Sequence, residues 1–197
     1  MFEEMTASCL VKVDIDGNIL SESEFGINPA GYTIHSAVHM GRKDAGCVMH
    51  THTAAGLGVA TQKSGLLPLT QMALAVIAQT GYHDYEGPAF DLRERDRLIN
   101  DLANNNVLIL RNHGLLTVGK TVAEAFVWLF RAERACRFQL SFQQAGAPAQ
   151  EIPKEVQDIS IERSKKAISA SGHRPIGQFE WPALLRKLNR ENPGYAE

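Results

Sequence analysis

The chain has 197 residues, 44% of them hydrophobic and 21% charged, and a formal net charge of -2. That length suits one domain or slightly more with a sizeable buried core, and the charge balance gives no electrostatic ground for a nucleic-acid partner or an anionic membrane surface. Three cysteines, Cys9, Cys47 and Cys136, with no C-x-x-C pair, argue against a disulfide framework or thiolate zinc and fit a reducing compartment.

Met1 to Met5 lacks the basic and apolar parts of a signal peptide. No apolar stretch reaches the ~18 residues that cross a bilayer. The expectation is a cytoplasmic protein without membrane contact. Ser8 to Asp14 alternates as a strand, and Asp16-Gly17 turns it into Asn18 to Leu20. Ser21 to Gly31 is polar and reads as loop. A helix is predicted over Tyr32 to Gly41, a buried strand over Gly46 to His52, and a helix over Thr53 to Gln62. Gly65 to Leu69 reads as loop or short strand, Leu69 to Gln79 as an apolar helix, and Gly81 to Gly87 as a polar, aromatic loop.

Asp91 is the predicted N-cap of a helix over Leu92 to Leu102. Val107 to Leu110 and Leu115 to Val118 are predicted strands around a His-Gly turn. Thr121 opens a long amphipathic helix to about Gln144, with Val122, Phe126, Leu129 and Cys136 toward the core. Pro153 to Ser169 forms another helix, and Pro182 the first turn of a last one over Ala183 to Asn189. Strands alternating with helices predict a three-layer α/β/α domain over 1–150, with a helical extension over 151–197.

The chemistry concentrates in two places. His50, Thr51 and His52 end the first apolar strand, and residues two apart on a strand share a face. His113 follows the strand that ends at Leu110. Three neutral imidazoles with an open fourth position suit a catalytic divalent metal; spacing alone leaves open that they are ordinary polar residues near strand ends. The second place is Tyr82 to Glu86, where His83 and Tyr85 are candidates for proton transfer. The competing reading is a loop pinned by its aromatic side chains. His35 and His39 share a helix face, a spacing that metals use and that packed histidines use more often. Asn112 and Gly114 read as shapers of the turn that presents His113, and Glu22 and Glu24 as solvated loop acids.

Four segments carry a resemblance: CVMHTHT (Cys47 to Thr53), GLLPLTQMAL (Gly65 to Leu74), YHDYEG (Tyr82 to Gly87) and VLILRNHGLLTVG (Val107 to Gly119). Over nearly its whole length the chain resembles the class II aldolase/adducin family, and the last three segments resemble the adducin branch more than the sugar-phosphate aldolases. The resemblance implies a class II aldolase-like sheet between helices, and homo-oligomers, often tetramers, with the active site between subunits. It also implies a divalent metal on His50, His52 and His113, zinc first, with Fe, Mn, Co and Ni as alternatives. The metal would act as a Lewis acid that stabilises an enediolate of a small hydroxy-carbonyl substrate.

Two departures bear on activity. The aldolases carry a glutamate that contacts the metal and moves the proton 19 residues before the first metal histidine; here that position is Gly31. Their tyrosine 21 residues after that histidine falls on Gln71. Family members also carry an N-terminal helix and a phosphate-binding loop ahead of a segment like Met1 to Leu20, so the expectation is a chain short at its N-terminus. Two functions compete on these grounds. One is a metal-dependent lyase, by aldol cleavage or decarboxylation. The other is a non-catalytic oligomerisation or binding domain like the head of adducin, which serves the actin-based cytoskeleton.

Overall fold

In the computed structural model, residues 4–89, 91–168 and 175–197 are described. Four strands, β1 (Cys47–Thr51), β2 (Thr80–His83), β3 (Val107–Leu110) and β4 (Gly114–Gly119), form one mixed sheet in the order β1-β4-β3-β2. β4 runs antiparallel to both β1 and β3, whereas β2 and β3 are parallel. The ends of β1, β2 and β3 therefore lie at the edge of the sheet where β4 begins.

Seven helices accompany the sheet among the described residues: α1 (Pro29–Gly41), α2 (Ala54–Ala60), α3 (Gln71–Ile77), α4 (Arg95–Leu102), α5 (Val122–Ala145), α6 (Lys154–Ile168) and α7 (Glu180–Glu191). Polar caps set several starts. The side chains of Asn28, Thr53, Thr70 and Thr121 accept hydrogen bonds from the backbone N–H groups of Ala30, Gly56, Ala73 and Glu124. Each cap stabilises its helix by about 1 kcal/mol.

Period-two alternation splits the strand side chains between two cores. Val107, Ile109 and Leu115 pack with Val59, Val76 and Trp128 on the side of α2, α3 and α5. Leu108, Leu110, Leu116, Val118 and Val48 pack with Ile34, Val38, Leu98 and Leu102 on the side of α1 and α4. Apolar residues on both faces of β3 and β4 mark a sheet covered on both sides, and the mixed α/β fold agrees with the predicted three layers. α6 packs on α3 and α7 on α5, with Phe126 and Trp181 in edge contact at 5.6 Å between ring centroids. Among the described residues no helix is long and apolar enough to cross a membrane.

The structure departs from the sequence-based expectations in three places. Thr80–His83 is a strand, not loop: its parallel pairing with β3 directs the His83 side chain into the α4 side of the sheet. The N-terminal hairpin adds no ladder to the sheet. Val13 and Ile19 form an isolated bridge, and the turn is closed by the Asp14 carboxylate, which accepts from the Asp16 and Asn18 N–H groups. On α5 the buried stripe is Ala125, Trp128, Ala132, Cys136 and Gln139, whereas Val122 is 49% exposed in the first turn. α7 begins at Glu180, and Pro182 lies in its first turn, as the sequence predicts. The predicted end of α6 at Ser169 lies outside the described residues.

Candidate metal centre

β1 places His50 opposite Leu116 of β4. The side chain of His50 shares its face with Val48 and follows it toward the end of the strand, and His52 comes next on that face. The Nδ1 atom of His50 lies 2.9 Å from the carbonyl oxygen of Leu115. A carbonyl only accepts, so Nδ1 carries the proton and Nε2 keeps its lone pair. That Nε2 lies 2.7 Å from Nε2 of His52. Two ring nitrogens this close share either a proton or a cation.

His113 enters from the three-residue connection between β3 and β4. Asn112 takes a left-handed conformation there (φ 56°), which asparagine tolerates better than most residues. Gly114 has φ 154°, and a Cβ on it would run into the Thr51 carbonyl oxygen. The hairpin can thus lie close against the end of β1 only with glycine at this position. The three imidazole rings are mutually 4.6, 4.8 and 4.8 Å apart between centroids. One ligand nitrogen from each lies within 4.8 Å of the others. A tetrahedral zinc ion with ~2.0–2.1 Å bonds would space its nitrogens roughly 3.3 Å apart, between the 2.7 Å His50–His52 separation and the 4.8 Å span of the set. His50 and His113 are half-buried and His52 is exposed, so the cluster is open on one side.

The electrostatics keep the lone pairs available. Burial, then the neighbouring His113, pushes the His50 imidazole down to about 4. Burial, followed by His52 and His83, holds His113 below its ordinary value. At neutral pH both rings are poised as neutral ligands. The donor set fits a divalent cation.

The first 140 residues match the model of the class II aldolase and adducin N-terminal domain. The chain belongs to that family. It is 50% identical to a Pseudomonas aeruginosa protein provisionally named an aldolase class 2 protein, over 100% of this chain and 76% of the relative. It is 39% identical to rat (Rattus norvegicus) alpha-adducin over 99% of this chain, but only 28% of that much longer protein. The crystal structure of an aldolase II superfamily protein from Pseudomonas syringae superposes with a TM-score of 0.90 at 46% identity, covering 100% of this chain and 78% of that one.

Within this class II aldolase/adducin fold, the other singled-out residues separate. Tyr85 is 54% exposed at the rim, its ring centroid 6.4 Å from that of His113. His83 is 3% exposed, with Nδ1 2.7 Å from Asp101 and Nε2 3.2 Å from Glu94. Both of its ring nitrogens are engaged. Asp84 lies 3.6 Å from the Arg111 guanidinium, and Glu86 pairs with Arg97. His39 is bonded through Nδ1 to the Ala45 carbonyl at 3.0 Å, the hydrogen-bonded role expected of it. His35 is half-buried near His50, close enough for a charge on one to disfavour a charge on the other. Gly31 lies in the third position of α1, and Gln71 begins α3 at an exposed position.

Two contributors carry no signal in the sequence. The Thr53 hydroxyl accepts from Gly56 N–H at 3.1 Å and donates to the Glu133 carboxylate at 2.6 Å. Glu133 thereby pins the backbone just beyond His52 from the middle of α5. Arg111 covers the Tyr82 ring at 4.6 Å and donates to the Gln62 carbonyl, bracing the hairpin next to His113.

Proposed function

We propose that the protein is a metal-dependent lyase that cleaves or decarboxylates a small hydroxy-carbonyl compound. The observation that carries this reading is the convergence of His50, His52 and His113, with the His50 lone pair directed inward by the Leu115 carbonyl. Zinc is the first choice of ion, because three imidazoles and an open side suit it; Fe, Mn, Co and Ni also accept imidazole. When bound, the ion supplies Lewis acidity to a carbonyl oxygen and so favours enediolate formation.

The protein's own groups do the rest. His50, His52 and His113 hold and orient. Tyr85 is the candidate to hand a proton across the mouth of the site; its exposure and its 6.4 Å ring separation from His113 support this role. His83, locked between Glu94 and Asp101, fixes the end of β2 two residues before Tyr85. Assembly of several copies is supported by the exposed Phe130 and Phe138 on α5.

A panel of hydroxy-aldehydes, hydroxy-ketones and hydroxy-acids, assayed for cleavage products with each ion loaded in turn, tests the reading. Tyr85→Phe should retain the ion and lose roughly 100-fold in kcat. A fully loaded protein that turns over no member of the panel rules out the lyase. That outcome favours a second reading, a non-catalytic binding domain like the head of adducin. Its support is the match to alpha-adducin along almost the whole chain, together with Gly31 and Gln71 at positions where a proton-moving side chain was expected.

A further inference from the structure

Between α1 and the N-terminal hairpin lies a cleft of about 590 Å³ whose wall includes His35, the neighbour of His50. Such a volume suits a small molecule. α1 ends at Gly41 just before β1 starts at Cys47, so the helix runs back along the strand. From Gly41 to Gly31 is about 15 Å of helix, and from Cys47 to His52 about 16 Å of strand. On these lengths Gly31 is expected near the level of the histidines, and His35, one turn further along the helix, is close enough to His50 for their charges to interact. Gly31 and His35 both line the cleft.

The charge balance of this region is one-sided. Three neutral imidazoles contribute no negative charge to a bound divalent ion, and among the described residues no carboxylate joins the cluster. The acid in the cleft wall, Asp14, is already engaged by the N–H groups of Asp16 and Asn18 and by the Asn18 amide. Behind Ser36, the Arg95 guanidinium donates to the Ser36 hydroxyl at 2.7 Å and lies 5.2 Å from the Tyr32 ring centroid. Its Nε is buried without a hydrogen-bond partner. A bound divalent ion and the nearby Arg95 guanidinium would both favour an anion here.

The supply of donors selects which anion. The Tyr32 hydroxyl donates to the Ile15 carbonyl, the Ser36 hydroxyl to the Tyr32 carbonyl, and His39 Nδ1 is bonded to the Ala45 carbonyl. Among the described residues, His35 is the ring in the wall without a hydrogen-bond partner. The side-chain donors left in the wall are the His35 ring and the Asn28 amide, which match the two oxygens of a carboxylate better than the three of a phosphate dianion. The rest of the wall is mostly apolar, with Val13, Ile15 and Ile27 beside Asn28. That lining suits an aliphatic body and would leave the hydroxyls of a sugar unpaired.

We propose that the substrate is a small hydroxy- or oxo-carboxylic acid with an apolar body, its carboxylate entering the space over Gly31 between His35 and the histidine cluster. This inference rests on the metal-lyase reading and narrows it to acids instead of sugar phosphates. Gly31 matters because it leaves that space open. A Cβ built on it meets nothing nearer than the Asn28 side chain, at 3.8 and 3.9 Å, so a larger residue there would enter the space without disturbing the helix.

The test uses the full chain loaded with Co(II), whose visible spectrum reports the ligands around it. Titrations would compare 2-hydroxy-4-methylpentanoate, its uncharged amide and inorganic phosphate. The acid should perturb the spectrum at a concentration at least tenfold below that of either comparison compound. Gly31→Glu, which brings its own carboxylate into the same space, should keep cobalt and weaken the acid at least tenfold. His35→Gln should weaken it as well. A cobalt spectrum that responds equally to acid and amide, or more strongly to phosphate, overturns the inference while leaving the metal site standing. So does a Gly31→Glu variant that binds the acid as before. Failure of the protein to take up cobalt overturns the metal reading and this inference with it.

Discussion

His50 and Leu115 sit on adjacent antiparallel strands, and the imidazole Nδ1–H of the first donates to the carbonyl of the second at 2.9 Å. This bond links fold to chemistry: the strand register chooses the tautomer, and the tautomer turns a lone pair toward His52 and His113.

The same ring makes the metal-free protein sensitive to acid. In the unfolded chain His50 takes up a proton below its ordinary value near 6.5, and in the folded chain only below about 4. Between those values the unfolded state holds more protons. Stability therefore rises with pH through the window and is lost as pH falls, by roughly 2–3 kcal/mol in all. Urea unfolding in the presence of a chelator, from pH 7 to pH 4, should show this loss, and His50→Gln should flatten it. An equally steep loss in the variant would mean that another group governs the response.

Glu133 is expected to act on the site through Thr53. With Glu133→Ala the Thr53 hydroxyl loses its 2.6 Å acceptor, and the segment that follows His52 gains freedom. Metal affinity should drop about tenfold, in the range typical of outer-sphere partners, with helix content by circular dichroism unchanged. Wild-type affinity in the variant would show that the contact serves packing alone.

Gly114 should tolerate no side chain. Its φ of 154° and the approach of the Thr51 carbonyl leave no room for a Cβ. Gly114→Ala is expected to cost more than ~2 kcal/mol in urea unfolding and to displace His113 from the cluster. An unchanged midpoint would contradict the close packing of the hairpin against β1.

Gly31→Glu should have the opposite effect on stability. The position is the third of α1, behind the N-cap Asn28, where an acidic residue favours the helix start and glycine weakens it. A gain of about 1 kcal/mol, or ~2–4 °C in Tm for a chain of this length, is expected. A fall in Tm would indicate that something other than the Asn28 side chain occupies this space.

The sequence made β1, β3 and β4 legible because each is an apolar run or alternation bounded by turn residues. It concealed β2, since Thr80 to His83 contains a glycine and three side chains with polar groups. Those residues become a strand only through pairing with β3, and His83 becomes buried only because Glu94 and Asp101 meet its ring. The site followed the same division. A period of two put His50 and His52 together, whereas the arrival of His113 depends on β4 lying beside β1, a long-range pairing that only motif resemblance anticipated. The Thr53–Glu133 bond joins residues 80 apart, and no local pattern announces it. The N-terminal alternation misled because a strand pattern without a neighbouring strand makes a hairpin, not a ladder.

The most direct measurement is the metal content of the full chain after reconstitution with zinc and removal of excess, by elemental analysis, alongside His50→Ala and His113→Ala. About one ion per chain in the wild type, and loss of it in both variants with far-UV circular dichroism preserved, is the expected result. A wild type that retains no ion, or variants that retain as much as the wild type, would contradict the assignment of His50, His52 and His113 as a metal centre.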